Sequence, residues 1–309
     1  MSAPRAESLF EAAGVDPHLL GAGVARIAVH ENRLLEARLL PGLEAEVEER
    51  ADGVEAAIVV RAGTVIPRPV HLCFGVLPEE GLQHIVLRLE MEEGSRASFT
   101  AHCTFPNAVR VRHLMEADIR VGAGARYSYF ERHVHGPEGG VLAVPRARVT
   151  VAEGGRFGTE FELIRGRVGR LEIDYAVRCL AGAVAEMTAR ISGRGDDFIR
   201  VKESARLAGE RSRAVLTSYI AVRERARAEV RNTLRAEAAY ARGHVDCKEI
   251  VQDRARARAV PVVEVRDPRA HVTHEAAIGS VDSKQLETLM SRGLSEEEAV
   301  ELIIQGLLG

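Results

Sequence analysis

The sequence contains no tryptophan, and aromatic residues make up only 4% of it. Platforms for stacking nucleobases or sugar rings are therefore scarce. Lysine is almost missing too: Lys202, Lys248 and Lys284 are the only three among 42 basic residues. The arginines are interspersed with glutamates and the net charge is −3. That pattern describes an ion-paired, solvated surface rather than a field for nucleic acid. Cysteine is sparse and scattered, at Cys73, Cys103, Cys179 and Cys247, with no CxxC pair. They read as reduced thiols, and their spacing announces no four-thiolate metal site. No apolar run approaches a membrane span, and MSAPRAESLFEAAG lacks the basic-then-apolar layout of a secretion signal. No GxxxxGK[ST], GxSxG, HExxH or GxGxxG motif is present, so any nucleotide energy has to come from another subunit.

The chain does have length and apolar content. Its 309 residues are 46% hydrophobic, enough for one large core or two ordinary ones. Residues 4–13 have helix-forming composition, and Asp16-Pro17 suits the cap and first turn of a second short helix. From Arg26 the chain turns extended. Pro41-Gly42 marks a turn, and Pro67 and Pro69 interrupt the strand pattern until His71 to Gly75 resumes it.

Beyond about residue 90 the sequence repeats. Arg156, Arg170, Val184, Phe198, Arg213, Arg227, Arg242, Arg256 and Arg269 form a ladder with steps of 14, 14, 14, 15, 14, 15, 14 and 13 residues. A small residue follows each of the last five arginines: Ala214, Ala228, Gly243, Ala257 and Ala270. This predicts a crowded corner or inward position. A fixed short period with Val, Ile and Thr content points to stacked strands. A parallel β-solenoid (β-helix) fits best. The competing architecture is an antiparallel sandwich with strands at hairpin spacing.

The C-terminal seventy residues combine the end of this ladder, a group of metal-capable side chains (His244, Cys247, His271, His274, Glu275), and two short helices. Asp282 or Ser283 caps the first helix, which carries Leu286, Leu289 and Met290 on one face, and Gly293 ends it. Ser295 and Glu298 form a capping box for the second, which carries Val300, Ile303 and Ile304 with Leu302 and Leu307 nearby. Helices this short need a surface to pack on.

His274-Glu275-Ala276, Gln285-Leu286 and the stretch Met290 to Ala299 (MSRGLSEEEA) resemble the C-terminal signature of the SufB/SufD family of iron–sulfur cluster assembly scaffolds. The match is specific over about 260–306 and looser back to about residue 90. The chain is shorter than bacterial SufB or SufD and is similar to compact archaeal-type members. The resemblance implies a β-helix core, cytoplasmic cluster assembly with a transient iron–sulfur cluster, and a C-terminal helical region that docks a SufC-like ABC-type ATPase. ATP would act only through that partner. The expected organisation is an N-terminal helical segment (1–26), a solenoid (27–275) and a docking region (276–309).

If adjacent rungs lie about 4.8 Å apart, Cys247 and His274 share a column two rungs, or roughly 10 Å, apart. His244 and His271 share another. That spacing suits a multi-iron cluster, paired sites, or ligands donated across a dimer interface. One of His274 and Glu275 must point out of the coil. The resemblance implies roles for His274 in SufD-like members. In SufB-like members it implies Glu275 with a cysteine near Cys247, and a one-residue slip would place Asp246 there instead. Cys247 otherwise reads as a small buried hydrophobe.

His102-Cys103 and His133-Val134-His135 form a second possible cluster, though the following GPEGG reads His133 and His135 as solvated loop residues. The functional expectation is a non-enzymatic scaffold holding a nascent cluster at a homodimer interface or one shared with a paralogue. Its alternative is a SufD-like interaction subunit without its own ligands. A β-helix enzyme acting on polysaccharide is disfavoured by the missing aromatics.

Overall fold

The computed structural model describes residues 5–21 and 23–309; Pro4, where the first expected helix begins, lies outside them. Twenty strands form two ten-membered sheet systems that face each other around one core. From Glu80 on, each coil contributes one long strand to each sheet until the last, where Arg256–Ala259 and Val262–Val265 replace one, and the pairing between successive coils is parallel. The stack opens with two antiparallel pairings, Arg26–His30 with Arg33–Arg38 and Leu43–Glu49 with Val54–Val60. The helix Ala6–Ala12 lays Leu9 and Phe10 over Ala28 and Cys73 on the outside of the first sheet. Asp16 caps the following short 3-10 turn by accepting from the His18 amide at 2.9 Å.

The solenoid expectation holds, but one ladder step is half a coil. Arg213 pairs with Arg242 in one sheet, and Arg227 pairs with Phe198 and Arg256 in the other. A full coil therefore takes two steps, as in the 29-residue offset that aligns His244 with Thr273. The Arg213 and Arg227 strands face each other across the core and do not pair. The physical reason is that a coil needs two sheet faces to bury its apolar side chains, so alternate repeats go to opposite walls. The small residues after the ladder positions point inward: Ala214 and Ala228 are buried, and a Cβ on Gly243 would stand 2.5 Å from the Leu234 methyls.

Turns between strands stack in register as well. Gly94, Gly124, Gly154 and Gly182 all have positive φ, and Arg211 and Tyr240 continue their column with the same left-handed backbone. Two helices follow the last strand. Asp282 caps Ser283–Met290, accepting from the Gln285 amide at 2.7 Å, and Ser295 and Glu298 form the capping box of Glu296–Leu308. The second helix buries Ala299, Ile304 and Leu308, packing against Ala221 on the outer face of the first sheet. Glu301 ties it down by accepting from Arg194 at 2.9 Å and from Arg223. None of the first helix's residues is buried among the described residues.

Candidate functional site

Two groups of chemistry-bearing side chains lie in the coil, one at its C-terminal end and one deep inside. At the end, the final strand His271–Gly279 pairs with Arg242–Val251 and has no further neighbour among the described residues. Alternate residues of a strand face opposite sides, so His274, Ala276 and Ile278 lie on the core-facing side, in line with Val245, Cys247 and Glu249. Among the described residues no further strand stacks on them. Ile278 is 48% exposed, and Val263 and Val265, at the matching end of the second sheet, are 38% and 48% exposed. The core thus ends in an uncovered apolar cross-section.

The register corrects the expected columns. Cys247 lies beside Ala276, Val245 beside His274, and Asp246 beside Glu275. Cys247 and His274 are on adjacent strands, not two strand spacings apart, because two ladder steps make one coil. Arg269 falls short of the ladder register, and His271 takes the place beside Arg242. His244 and His271 therefore do not share a column. His244 lies on the outer face, within 2.8 Å of the Thr273 hydroxyl. Glu275 joins it on that face, so His274 is the inward member of the pair. The first-sheet face that carries Cys247 thus offers His274 but not His244 or Glu275.

Cys247 is fully buried, beside Ser218, Asn232 and Glu249. Asn232 donates to the Ser218 hydroxyl at 2.8 Å and approaches the Cys247 sulfur at 3.6 Å. Burial and the nearby Glu249 push the Cys247 thiol up to about 12, so it rests as the thiol. Burial and Asp246 push Glu249 up to about 7. Glu203, beside Asn232 in the facing sheet, is raised by burial to about 8.

The second group was not expected in this form. His133 and His135 are buried members of the strand Arg126–His135, not loop residues; the turn begins only after them. Strict alternation in that strand turns Tyr127, Tyr129, Glu131, His133 and His135 inward together. Cys103 lies beside His133 on the neighbouring strand Arg96–Phe105, whereas its chain neighbour His102 faces the other way and pairs with His71 at 3.2 Å. From the facing sheet comes His113, on Arg110–Val121. One ligand atom each from Cys103, His113, Glu131 and His133 lies within 4.8 Å of all the others, and all four residues are at most 1% exposed. Glu131 and His113 were missed in the sequence. The shared parity of Glu131 with the HxH pair was the signal for one; His113 approaches from the opposite wall and leaves no local mark.

Burial lowers His113 to about 3 and raises the Cys103 thiol well above its ordinary value. Burial also raises Glu131, but the hydrogen bond to His133, the neighbouring His133 and His113 rings and the Tyr175 hydroxyl outweigh it and leave the carboxyl below its usual range.

The fold is thus a parallel β-solenoid with an open terminal coil, carrying thiol, imidazole and carboxylate groups both at that end and in its interior. Residues 78–307 match the family described as SUF system FeS cluster assembly, SufBD core domain, and the chain belongs to that family. It is similar to an iron-sulfur cluster assembly SufBD family protein of Methanocaldococcus jannaschii, 37% identical over 284 residues, covering 92% of this chain and 90% of the relative. It is 35% identical over 301 residues to one of Pyrococcus horikoshii, covering 97% and 92%. The iron-sulfur cluster assembly protein SufB of Bacillus subtilis is 24% identical over 262 residues, covering 81% of this chain and 54% of that protein. Among the described residues no helix is long and apolar enough to cross a membrane.

Proposed function

We propose that this chain is a cytoplasmic scaffold on which an iron–sulfur cluster is assembled where the open end of the solenoid meets a second copy or a paralogue. The uncovered terminal coil is the observation that supports this most. Its free strand edge and apolar cross-section call for a partner. A two-fold pairing there would bring two copies of Cys247 and His274 towards one axis. Glu275 and His244, on the outer face of the same last strands, would supply ligands at the rim. A single chain offers too few soft ligands at this end; two chains double them. The Cys247 thiol gives up its proton only when a cation arrives, which suits holding a cluster transiently.

The second part of the proposal is that the C-terminal helices dock a SufC-like ABC-type ATPase, which supplies the nucleotide chemistry. Ile304 and Leu308 are already used against the solenoid, so Leu302, 48% exposed, and Met290, 43% exposed, with the half-buried Leu286 and Leu289, remain for the partner. A SufD-like subunit role, without ligands of its own, is the second reading; the outward turn of Glu275 and His244 favours it.

Anaerobic reconstitution with iron and sulfide tests the choice. Sulfide-to-iron charge-transfer absorption with matched iron and sulfide content in the dimer supports the scaffold. A dimer that takes up no sulfide supports the interaction subunit.

A further inference from the structure

We propose that the interior tetrad Cys103, His113, Glu131 and His133 is a resident mononuclear site for a divalent transition metal, zinc or iron(II). It lies five strand spacings, about 24 Å, from the open terminal strand. This inference does not depend on the scaffold reading.

The hydrogen-bond network fixes the tautomer of His113 and the Nδ1 proton of His133. The Gln83 amide nitrogen points at three backbone carbonyls, of Val29 at 3.1 Å, Glu31 at 3.0 Å and Gly75 at 3.3 Å. Carbonyls only accept, so this end of the amide is the NH2, and the Gln83 oxygen faces His113 Nδ1 at 3.0 Å. His113 therefore carries its proton on Nδ1, and the neutral ring presents a bare Nε2. That atom is buried and has no hydrogen-bond partner among the described residues. An unpaired buried acceptor is costly, and a metal ion would satisfy it.

The second imidazole is set by a relay. His135 Nδ1 donates to the Arg167 carbonyl at 3.3 Å, which leaves His135 Nε2 as an acceptor. His133 Nδ1 lies 3.1 Å from it and donates. In the neutral ring, His133 Nε2 is then also bare, yet it stands 2.8 Å from Glu131 Oε1. Two lone pairs at that distance repel, so the gap is filled either by a proton shared as a hydrogen bond or by a metal ion that replaces it. Tyr175 donates to the other Glu131 oxygen at 3.2 Å, which leaves Oε1 for the site. The Cys103 sulfur lies 3.7 Å from Oε1.

Tetrahedral coordination at about 2.0 to 2.3 Å puts ligand atoms roughly 3.3 to 3.8 Å apart. The tetrad, with all four atoms within 4.8 Å, reaches this by small side-chain rotations. Both imidazoles already have the partner on the far nitrogen that orients metal-bound histidine. On binding, the Cys103 thiol loses its proton to solvent. Thiolate and carboxylate then neutralise a divalent ion, so no net charge is buried. Two nitrogens, one sulfur and one oxygen suit zinc or iron(II) and exclude magnesium and calcium. The Phe105 and Phe161 rings, 5.0 Å from the His113 ring and 4.7 Å from the His133 ring, wall the site from water. The closed coil leaves no exposed ligand, so the ion enters as the chain folds.

The test is elemental analysis of the full chain, expressed with zinc or iron(II) in the medium and purified without sulfide or chelators. One ion per chain is expected. Unfolding with a chelator and refolding with cobalt(II) should give the intense visible bands of tetrahedral cobalt and a near-ultraviolet thiolate-to-cobalt band. Cys103→Ser should remove the thiolate band, and His113→Gln should abolish stoichiometric binding. Gln83→Leu, which only positions His113, should weaken binding about 10- to 100-fold. Cys247→Ser should change none of these. Wild-type protein that folds with only trace metal, and refolds without taking up zinc, iron(II) or cobalt(II), overturns the proposal; a proton shared by His133 and Glu131 would then fill the gap. Metal retained in Cys103→Ser with an unaltered cobalt spectrum, or lost in Cys247→Ser, overturns it as well. That reading needs only the wild type should a tetrad variant fail to fold.

Discussion

Replacing Glu203 with glutamine should make the protein more stable at neutral pH, and increasingly so as the pH rises. Glu203 projects inward between Tyr175 and Asn232, is 2% exposed, and one of its carboxylate oxygens has no hydrogen-bond partner among the described residues. Burial raises its pKa from the ordinary 4.5 to about 8. Between these two values the native state keeps a proton that the unfolded chain has released. Stability is therefore full below the unfolded pKa and falls as pH climbs towards the folded one, by about 1.4 kcal/mol per pH unit. Integrated from about pH 5 to about pH 7.5, this single group costs about 3 kcal/mol, and above about pH 8 the loss levels off. Glutamine has nearly the same shape as the protonated acid and does not titrate. Urea unfolding of both proteins across this range isolates the effect, because every other titrating group is common to the pair. The difference between Glu203→Gln and wild type should be small near pH 5 and reach about 3 kcal/mol near pH 7.5. A difference that stays constant across the range would show that the carboxylate is solvated or paired in the native protein, and the argument from burial would fail.

Truncation after Gly279 should leave the solenoid's far-ultraviolet circular dichroism intact yet abolish co-purification with a SufC-like ATPase; unchanged co-purification would place the docking surface elsewhere. Cys247→Ser should weaken reconstituted cluster absorption without altering the oligomer seen in sedimentation, and Glu275→Ala should do so more mildly, given its place on the outer face. If both reconstitute like wild type, the cluster is not held at the terminal coil. Gly243→Val should destabilise by about 1 to 3 kcal/mol in urea titration, since its side chain would meet Leu234 in a filled core. Ser295→Ala should cost about 1 kcal/mol through loss of the capping box.

The repeat was legible because stacking imposes one period on the whole chain. The ladder at Arg213, Arg227 and Arg242 marks the strand starts, and the small residues after them mark inward positions. The ladder did not reveal which wall each repeat joins. That is fixed by burial across the core, which has no one-dimensional period, so half-coils read as whole rungs and the Cys247–His274 spacing came out doubled. The terminal helices were legible for the opposite reason: capping by Asp282, Ser295 and Glu298 is local chemistry, complete within a few residues. The interior tetrad was readable only in part. Parity within one strand unites Glu131, His133 and His135, and adjacency in register adds Cys103, but His113 arrives from the facing sheet. No spacing in the chain encodes that meeting, because the inward residues of two opposed sheets are matched by depth in the stack rather than by distance along the sequence. The two sites therefore differ in how the fold makes them. The proposed terminal one rests on the repeat stopping with one edge of its last strand unpaired among the described residues. The interior one exists because the repeat continues and closes polar groups where water cannot reach them, so that each must find its partner within the coil.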